Sequence, residues 1–290
     1  MINFFKNLSL DIKGIIYISI ASLFFSLMSA FVKLSSSNLN LIEIIFLRSL
    51  LATIILLPFI YIFKIKTKTT LYSNHLMRAV IGISAMLLNF YAVSKLPLSN
   101  FIIISFAKIF FLVPLAFFFL KEKIKTTSFF YIFIGFIGVI LILGFEEGKQ
   151  NLVYYYICAI LATLLIAYIK IFLKSISKKE DNIKIQFYFS LNSTLILLVP
   201  FIFCCSKILF KDFFFIFCLS IFGLLAQYFT IEGLKKSETV KVMPFDFTRI
   251  LFGSIIGVSF FNEKISASMI FGALIIIFAG IKLIKSNPHN

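Results

Sequence analysis

The stretch FAKIFFLVPLAFFFLKEKI, Phe106 to Ile124, recurs as FTRILFGSIIGVSFFNEKI, Phe247 to Ile265, at one constant offset. Lys108 falls on Arg249, and Glu122 falls on Glu263. Upstream, AFVK (Ala30 to Lys33) echoes AYIK (Ala167 to Lys170), and LPFI (Leu57 to Ile60) echoes VPFI (Val199 to Ile202). The second half of the chain therefore repeats the first, charges included. Two copies of one unit, each with a basic residue deep in an apolar run, predict two similar bundles that meet around a polar interior.

Composition sets the solvent. Mean hydropathy is +1.06, with 61% hydrophobic and 14% charged residues, where a soluble domain carries about a quarter charged. About 20 apolar residues cross a bilayer, so 290 residues can hold ten spans and little else. Ten are read, at 14–35, 41–63, 76–95, 99–120, 127–145, 152–174, 183–204, 213–234, 239–261 and 267–284. The third and eighth have polar residues at both ends and are the least sharply bounded. Runs such as LATIILLPFIYIF (Leu51 to Phe63) are continuous where barrel strands would alternate, so the fold class is an all-α membrane protein. No cleavable signal is expected, because the apolar run after Lys6 and Lys13 is of full span length.

The net charge of +16 has an orienting role. With the N-terminus inside, seventeen lysines fall in cytoplasmic segments and five (Lys95, Lys149, Lys207, Lys211, Lys264) on the other side. That asymmetry is the positive-inside rule, and no nucleic-acid partner is needed to explain it. Five spans per copy is an odd number, so the second copy enters from the opposite face. The expected architecture is two inverted five-helix repeats, 1–145 and 146–290, joined at EEGKQN (Glu146 to Asn151), with both termini cytoplasmic. A substrate would bind between them. The combination points to a secondary transporter for a small polar or zwitterionic metabolite.

The buried polar residues are the candidates for binding it. Lys108 and Arg249 sit about midway along the fourth and ninth spans, where a cation costs about 2.5–3.5 kcal/mol. They hold an anionic group of the substrate, or each is neutralised inside the protein. Asp246, three residues before Arg249, is the candidate internal partner of that arginine; no acid lies one turn from Lys108. Among 28 basic residues only Arg48, Arg78 and Arg249 are arginine, which suggests a need for the planar fork that pairs with carboxylates or phosphates. Arg48, deep in the second span, is a candidate gating or binding residue, whereas Glu43 suits the interface. Asn89 and Tyr91 match Gln227 and Phe229, with Tyr228 alongside, and a buried amide needs a partner from another helix or the substrate. Lys33 and Lys170 are read as snorkelling to the headgroups, and Glu232 as a solvated partner of Lys235 and Lys236. Gly135, Gly138, Gly253, Gly257, Gly272 and Gly280 read as close-packing positions.

At these residues the chain resembles the drug/metabolite transporter superfamily, and within it the EamA-type carriers. SAFVKLSS with Phe46-Leu47-Arg48, the Lys95-Leu96-Pro97 turn, and Glu122 and Glu263 closing the fourth and ninth spans carry the resemblance, most specifically Met243 to Glu263. Relatives often have Pro where this chain has Ile109 and Ile250, so a proline hinge there is not expected. The resemblance implies a ten-helix bacterial inner-membrane carrier opening alternately to each side. It also includes a branch that takes up S-adenosylmethionine, whose carboxylate would suit Lys108 or Arg249 and whose cationic groups would suit Asp246.

No metal or cofactor is expected. Cys158, Cys204, Cys205 and Cys218 lie in or beside apolar runs without a CxxC pair. An enzyme is disfavoured, since only His75 and His289 could supply a general base, both in polar segments. The rival is a lipid scramblase or membrane assembly factor with Lys108 and Arg249 turned toward lipid. Partners are thus the substrate and the bilayer, with the protein a monomer or homodimer.

Overall fold

A computed structural model describes residues 8–121, 125–143, 152–204, 208–264 and 266–286. Glu122, the junction Glu146 to Asn151, Cys205 and His289 lie outside them. Among the described residues the chain is helical without strands. The helices are α1 (Leu10–Ser35), α2 (Leu41–Ile62), α3 (Tyr72–Lys95), α4 (Leu98–Ser105), α5 (Lys108–Leu115), α6 (Thr127–Leu143), α7 (Val153–Ile176), α8 (Asn182–Cys204), α9 (Phe210–Lys236), α10 (Thr239–Val242), α11 (Thr248–Phe261) and α12 (Ala267–Ser286).

Seven helical stretches are long and apolar enough to cross a membrane, counting 98–120 as one, and three shorter apolar helices lie in α6, α11 and α12. The deficit against ten full-length spans is largely geometric. The ninth expected span is divided into α10, a 3₁₀ segment Met243–Phe247 and α11, so its longest regular piece is 14 residues. The third and eighth, marked by polar ends, form continuous helices of 24 and 27 residues.

Helix starts follow from capping. Ser9 accepts from the Ile12 amide at 3.3 Å before α1. Asn40 and Glu43 form a reciprocal capping box at α2, with the Asn40 amide donating to Glu43 at 2.8 Å and the Glu43 amide to Asn40 at 3.0 Å. Each arrangement supplies an acceptor to an amide that has no partner within its own helix. Glu43 is fully buried in the protein and caps the start of α2.

The principal helix pairings are α1 with α9, α3 with α7, α2 with α8, α4 with α11, α6 with α12, α5 with α7 and α1 with α11. Exchanging the two halves turns α1·α9 into α7·α3 and α1·α11 into α7·α5, and leaves α2·α8 and α6·α12 unchanged; α4·α11 alone has no matching pair among these. Six of the seven pairings thus map within the set, as an approximate twofold relation between halves produces. No half packs on its own; nearly every main contact crosses between them.

The fourth and ninth spans break at matching places. In the first, the amides of Phe106, Ala107, Ile109 and Phe110 bond carbonyls three residues back, separating α4 from α5. In the second, the 3₁₀ segment ends at Phe247, the counterpart of Phe106. Both breaks form without proline at Ile109 or Ile250, each buried within a helix. Proline acts elsewhere: Pro114 lies in α5, and a π-helical turn, Ala116–Leu120, follows it.

Helices α6 and α12 approach backbone to backbone at Gly138. A Cβ added at Gly138 would stand 2.9 Å from the Gly272 carbonyl oxygen, a backbone atom that cannot rotate away. Gly138→Leu is expected to destabilise the fold by about 1–3 kcal/mol through overpacking. The check is the melting temperature of the purified protein in detergent.

Candidate functional site

Between the halves lies a cavity of about 110 Å³. Its charged lining comes from five helices: Arg48 on α2, Arg78 on α3, Lys108 on α5, Lys170 on α7 and Arg249 on α11. Phe25, Met28, Phe90, Ile166, Ile169 and Phe189 make up much of its apolar wall, with Asn89 and Gln227 as its amides. All five cations are buried.

Lys108 and Asp246 form a buried ion pair. Asp246 is thus the partner of a lysine in the other half, and not chiefly of Arg249 one turn away. Its second oxygen accepts from the Ser22 hydroxyl at 2.6 Å. The acid sits in the 3₁₀ break of the ninth span and the lysine opens α5 just after the break in the fourth, so the two interruptions face each other. Removing either partner from a buried pair costs about 3–5 kcal/mol, because the survivor keeps an uncompensated charge.

A serine stripe on α1 receives the ninth span. Ser22, Ser26 and Ser29 share one helical face, being four and three residues apart. Ser22 holds Asp246, Ser26 donates to the Arg249 carbonyl at 3.3 Å, and Ser29 accepts from the Arg249 guanidinium at 2.9 Å. The Arg249 guanidinium lies 5.2 Å from the centre of the Phe25 ring, and the Lys170 ammonium lies 5.0 Å from it. One aromatic face thus serves two cations, an arrangement that offsets part of their desolvation.

The two arginines of the first half differ in how they are held. Arg78 donates to Gln227 at 2.9 Å and to the Ile185 carbonyl at 3.3 Å, and lies over Phe189 at 4.2 Å. Among the described residues the Arg48 guanidinium bonds only the Met86 sulfur, at 3.2 Å. Its space is made by Gly223: a Cβ there would sit 2.7 Å from a guanidinium nitrogen.

Of the residues expected to bind substrate, Lys108, Arg249, Arg48, Asn89 and Gln227 line this cavity, and Asp246 adjoins it through Lys108. Tyr91 and Tyr228 do not. Tyr91 is 40% exposed and packs on Tyr155 with ring centres 4.9 Å apart. Tyr228 belongs to a separate pocket with Glu232 and Lys235 at the bundle end. Lys170 overturns the snorkelling expectation, since it is only 6% exposed and points into the cavity. Lys33 is likewise engaged within the protein, bonding Glu263 at 2.7 Å and the Leu96 carbonyl at 3.0 Å. Arg78 and Lys170 went unassigned from sequence. The signal for the first was present, because all three arginines of this lysine-rich chain prove to face one void. Glu232 bonds Asn182 at 3.0 Å, with Lys235 3.7 Å away.

Glu263, in the turn after α11, ties the second half to the start of α4. It accepts from the amides of Leu98 at 2.5 Å and Ser99 at 3.0 Å, the Ser99 hydroxyl at 2.9 Å, and Lys33. Burial would raise this carboxyl, but Lys33 and the two amides outweigh it and hold it below the ordinary carboxylate range. At the other end Glu180 accepts from Thr69 at 2.6 Å and pairs with Lys184 at 2.9 Å, while Lys184 also reaches the Lys68 carbonyl at 2.7 Å. Polar bonds therefore cross between the halves at both ends of the cavity. Among the described residues no cluster of His, Cys, Asp or Glu could hold a metal.

Apolar helices enclosing a cationic void define a multi-pass membrane protein with an internal polar site. The chain belongs to the EamA-like transporter family, which matches residues 12–144 and again 153–284. It is similar to an uncharacterized transporter of Helicobacter pylori strain J99 (29% identity, 92% of this chain and 93% of the relative). It is also similar to the pseudopaline exporter CntI of Pseudomonas aeruginosa UCBPP-PA14 (24%, covering 94% and 96%). A third relative is the S-adenosylmethionine uptake transporter of Rickettsia bellii (27%, covering 88% and 87%). A solved crystal structure matches with a TM-score of 0.67 at 12% identity over 90% of this chain and 96% of its own, a likeness of fold alone.

Two outcomes are expected. Asp246→Asn loses about 3–5 kcal/mol of stability, and adding Lys108→Met restores part of it; a thermal double-mutant cycle in detergent measures the coupling. Glu263 has a depressed carboxyl, so its contribution is complete above the ordinary range near pH 4 and disappears as pH falls through its own lower value. Glu263→Gln is therefore expected to lower the melting temperature at neutral pH, with the difference from the native protein shrinking below about pH 4.

Proposed function

We propose that the protein is a secondary carrier in which two inverted five-helix repeats, 1–145 and 146–290, rock about a central site. It moves a small polar metabolite across a bacterial inner membrane with both termini in the cytoplasm. The observation that carries this reading is the meeting of the repeat-equivalent cations Lys108 and Arg249 in one cavity between the halves, each beside the break in its span. Discontinuous helices at the midplane suit a carrier, because they bring backbone groups and charges to a solute while remaining inside protein. A scramblase would turn these cations toward a groove open to lipid, whereas Lys108 and Arg249 are both buried between the halves. Lys108 with Asp246 sets the charge balance, and Arg249, Arg48, Asn89 and Gln227 contact the solute. The relatives' names cover both uptake and export, so the direction follows from the gradients. Nothing in the cavity forms a catalytic pair.

The test is uptake and counterflow in proteoliposomes with amino acids, S-adenosylmethionine and organic acids. Accelerated exchange of a labelled solute against the same unlabelled solute is expected. Arg249→Ala should reduce it about tenfold or more, the scale of a lost charged hydrogen bond of roughly 1.5–3 kcal/mol. Movement of labelled lipid between leaflets with no solute counterflow would overturn the reading in favour of the scramblase.

A further inference from the structure

Five cations face the cavity and one carboxylate adjoins it. That carboxylate is already engaged by Lys108 and Ser22. Lys170 has no hydrogen-bond or ion-pair partner among the described residues; its only neighbour of note is the Phe25 ring. Arg48 spends one donor on a thioether, a weak acceptor. The Nε atoms of Arg48, Arg78 and Arg249 are all buried without a partner. The free acceptors in the cavity are few: Gln227 is taken by Arg78, and Asn89 is neutral.

We propose that the solute this cavity binds carries at least two acidic groups, carboxylate or phosphate, an inference that rests on the carrier reading and narrows it. A buried, unpaired charge costs several kcal/mol, and a fixed anion has been supplied for only one of five. A solute with a single carboxylate would leave most of the excess uncompensated. One that also carries a cationic centre, as S-adenosylmethionine does, would add to it and find no free carboxylate for that centre. A solute with two acidic groups offers paired oxygens to the unspent arginine forks and a second anion to Lys170, with its apolar middle against Phe25 and Phe189. The unspent cations stand on helices of both halves (Arg48 and Arg78 on one, Lys170 and Arg249 on the other), so two acidic ends allow the solute to bridge them.

The experiment measures binding to the full-length protein in detergent, at constant ionic strength, by isothermal titration. One ladder holds shape and removes charge: succinate, succinamate and succinamide. Citrate tests a larger carboxylate and glycerol 3-phosphate a phosphate; glutamine and S-adenosylmethionine are the zwitterionic probes. At least one of succinate, citrate and glycerol 3-phosphate is expected to bind about tenfold more tightly than succinamide, glutamine and S-adenosylmethionine. Which of the three does so distinguishes the carboxylate source from the phosphate. Lys170→Gln should remove about tenfold of that affinity and Lys170→Arg should keep most of it, with melting curves showing both variants folded. The proposal is overturned if the neutral or zwitterionic probes bind as tightly as all three acids. It is equally overturned if folded Lys170→Gln binds the preferred acid as the native protein does. An acid that binds in this pattern but shows no counterflow sustains this inference and sinks the carrier reading; a zwitterion that exchanges while no acid binds does the reverse.

Discussion

A lysine from one half and an aspartate from the other meet in the middle of the bundle, and the layout of the cavity depends on that meeting. The carboxylate beside Lys108 offsets part of the cost of burying its charge in an apolar interior. The repeat supplies none nearby in sequence, because Ser105 holds the place that matches Asp246. The pair therefore forms across the pseudo-symmetry axis, which commits α5 to lie opposite the 3₁₀ segment before α11. With Asp246 occupied, Arg249 has no carboxylate in hydrogen-bonded contact among the described residues, and it turns to a serine hydroxyl and an aromatic ring.

The breaks in the two spans are the backbone's share of the same constraint. A 3₁₀ turn pitches the chain more steeply than an α-helix and leaves carbonyls poorly satisfied. In lipid such groups would be costly; inside protein they can be met by side chains. Ser26 meets the Arg249 carbonyl in this way, and the serine stripe on α1 exists where the broken span passes. The single hydroxyl protons of Ser22 and Ser26 are each shared between a carbonyl of their own helix and the broken span, whereas Ser29 donates to the Phe25 carbonyl and accepts from Arg249 at the same time.

Much of this was legible in the residues. The repeat announces twofold pairing, and Lys108 and Arg249 announce where the halves meet. The misplacements have simple causes. Asn89 and Tyr91 were treated as one feature, but residues two apart on a helix point to nearly opposite faces, and the amide went inward while the ring went out. Gln227 and Tyr228 parted for a similar reason. Lys170 was misread because distance from a span's end says nothing about which way the side chain points. Its repeat partner Lys33 does reach a bundle end, to meet Glu263, and the analogy failed because no matching acid is shown beside Lys170. The room Gly223 makes for Arg48 depends on contact across helices distant in sequence, and no local pattern carries that.

The symmetry of the fold is not matched by symmetry of charge, and this bears on how a carrier of this shape would move. Aligned by repeat, Arg48 falls on Ser190 and Arg78 on Ile216, while Lys170 falls on a lysine already bound to Glu263. Only Lys108 and Arg249 are basic in both copies and face the cavity. The two halves thus present different sets of cations to one site. Like charges on opposite walls repel when the cavity is empty, and an anion between them converts repulsion into attraction. An occupant can bias a conformational equilibrium only by the difference in its interaction with the two states. Here that difference has a physical source: a solute that bridges both walls stabilises whichever arrangement brings them together and loses one wall's contribution when they part. Under the proposed carrier reading, occlusion around an anion would be favoured over occlusion around nothing, which is the condition for coupling solute binding to a rocking of the repeats.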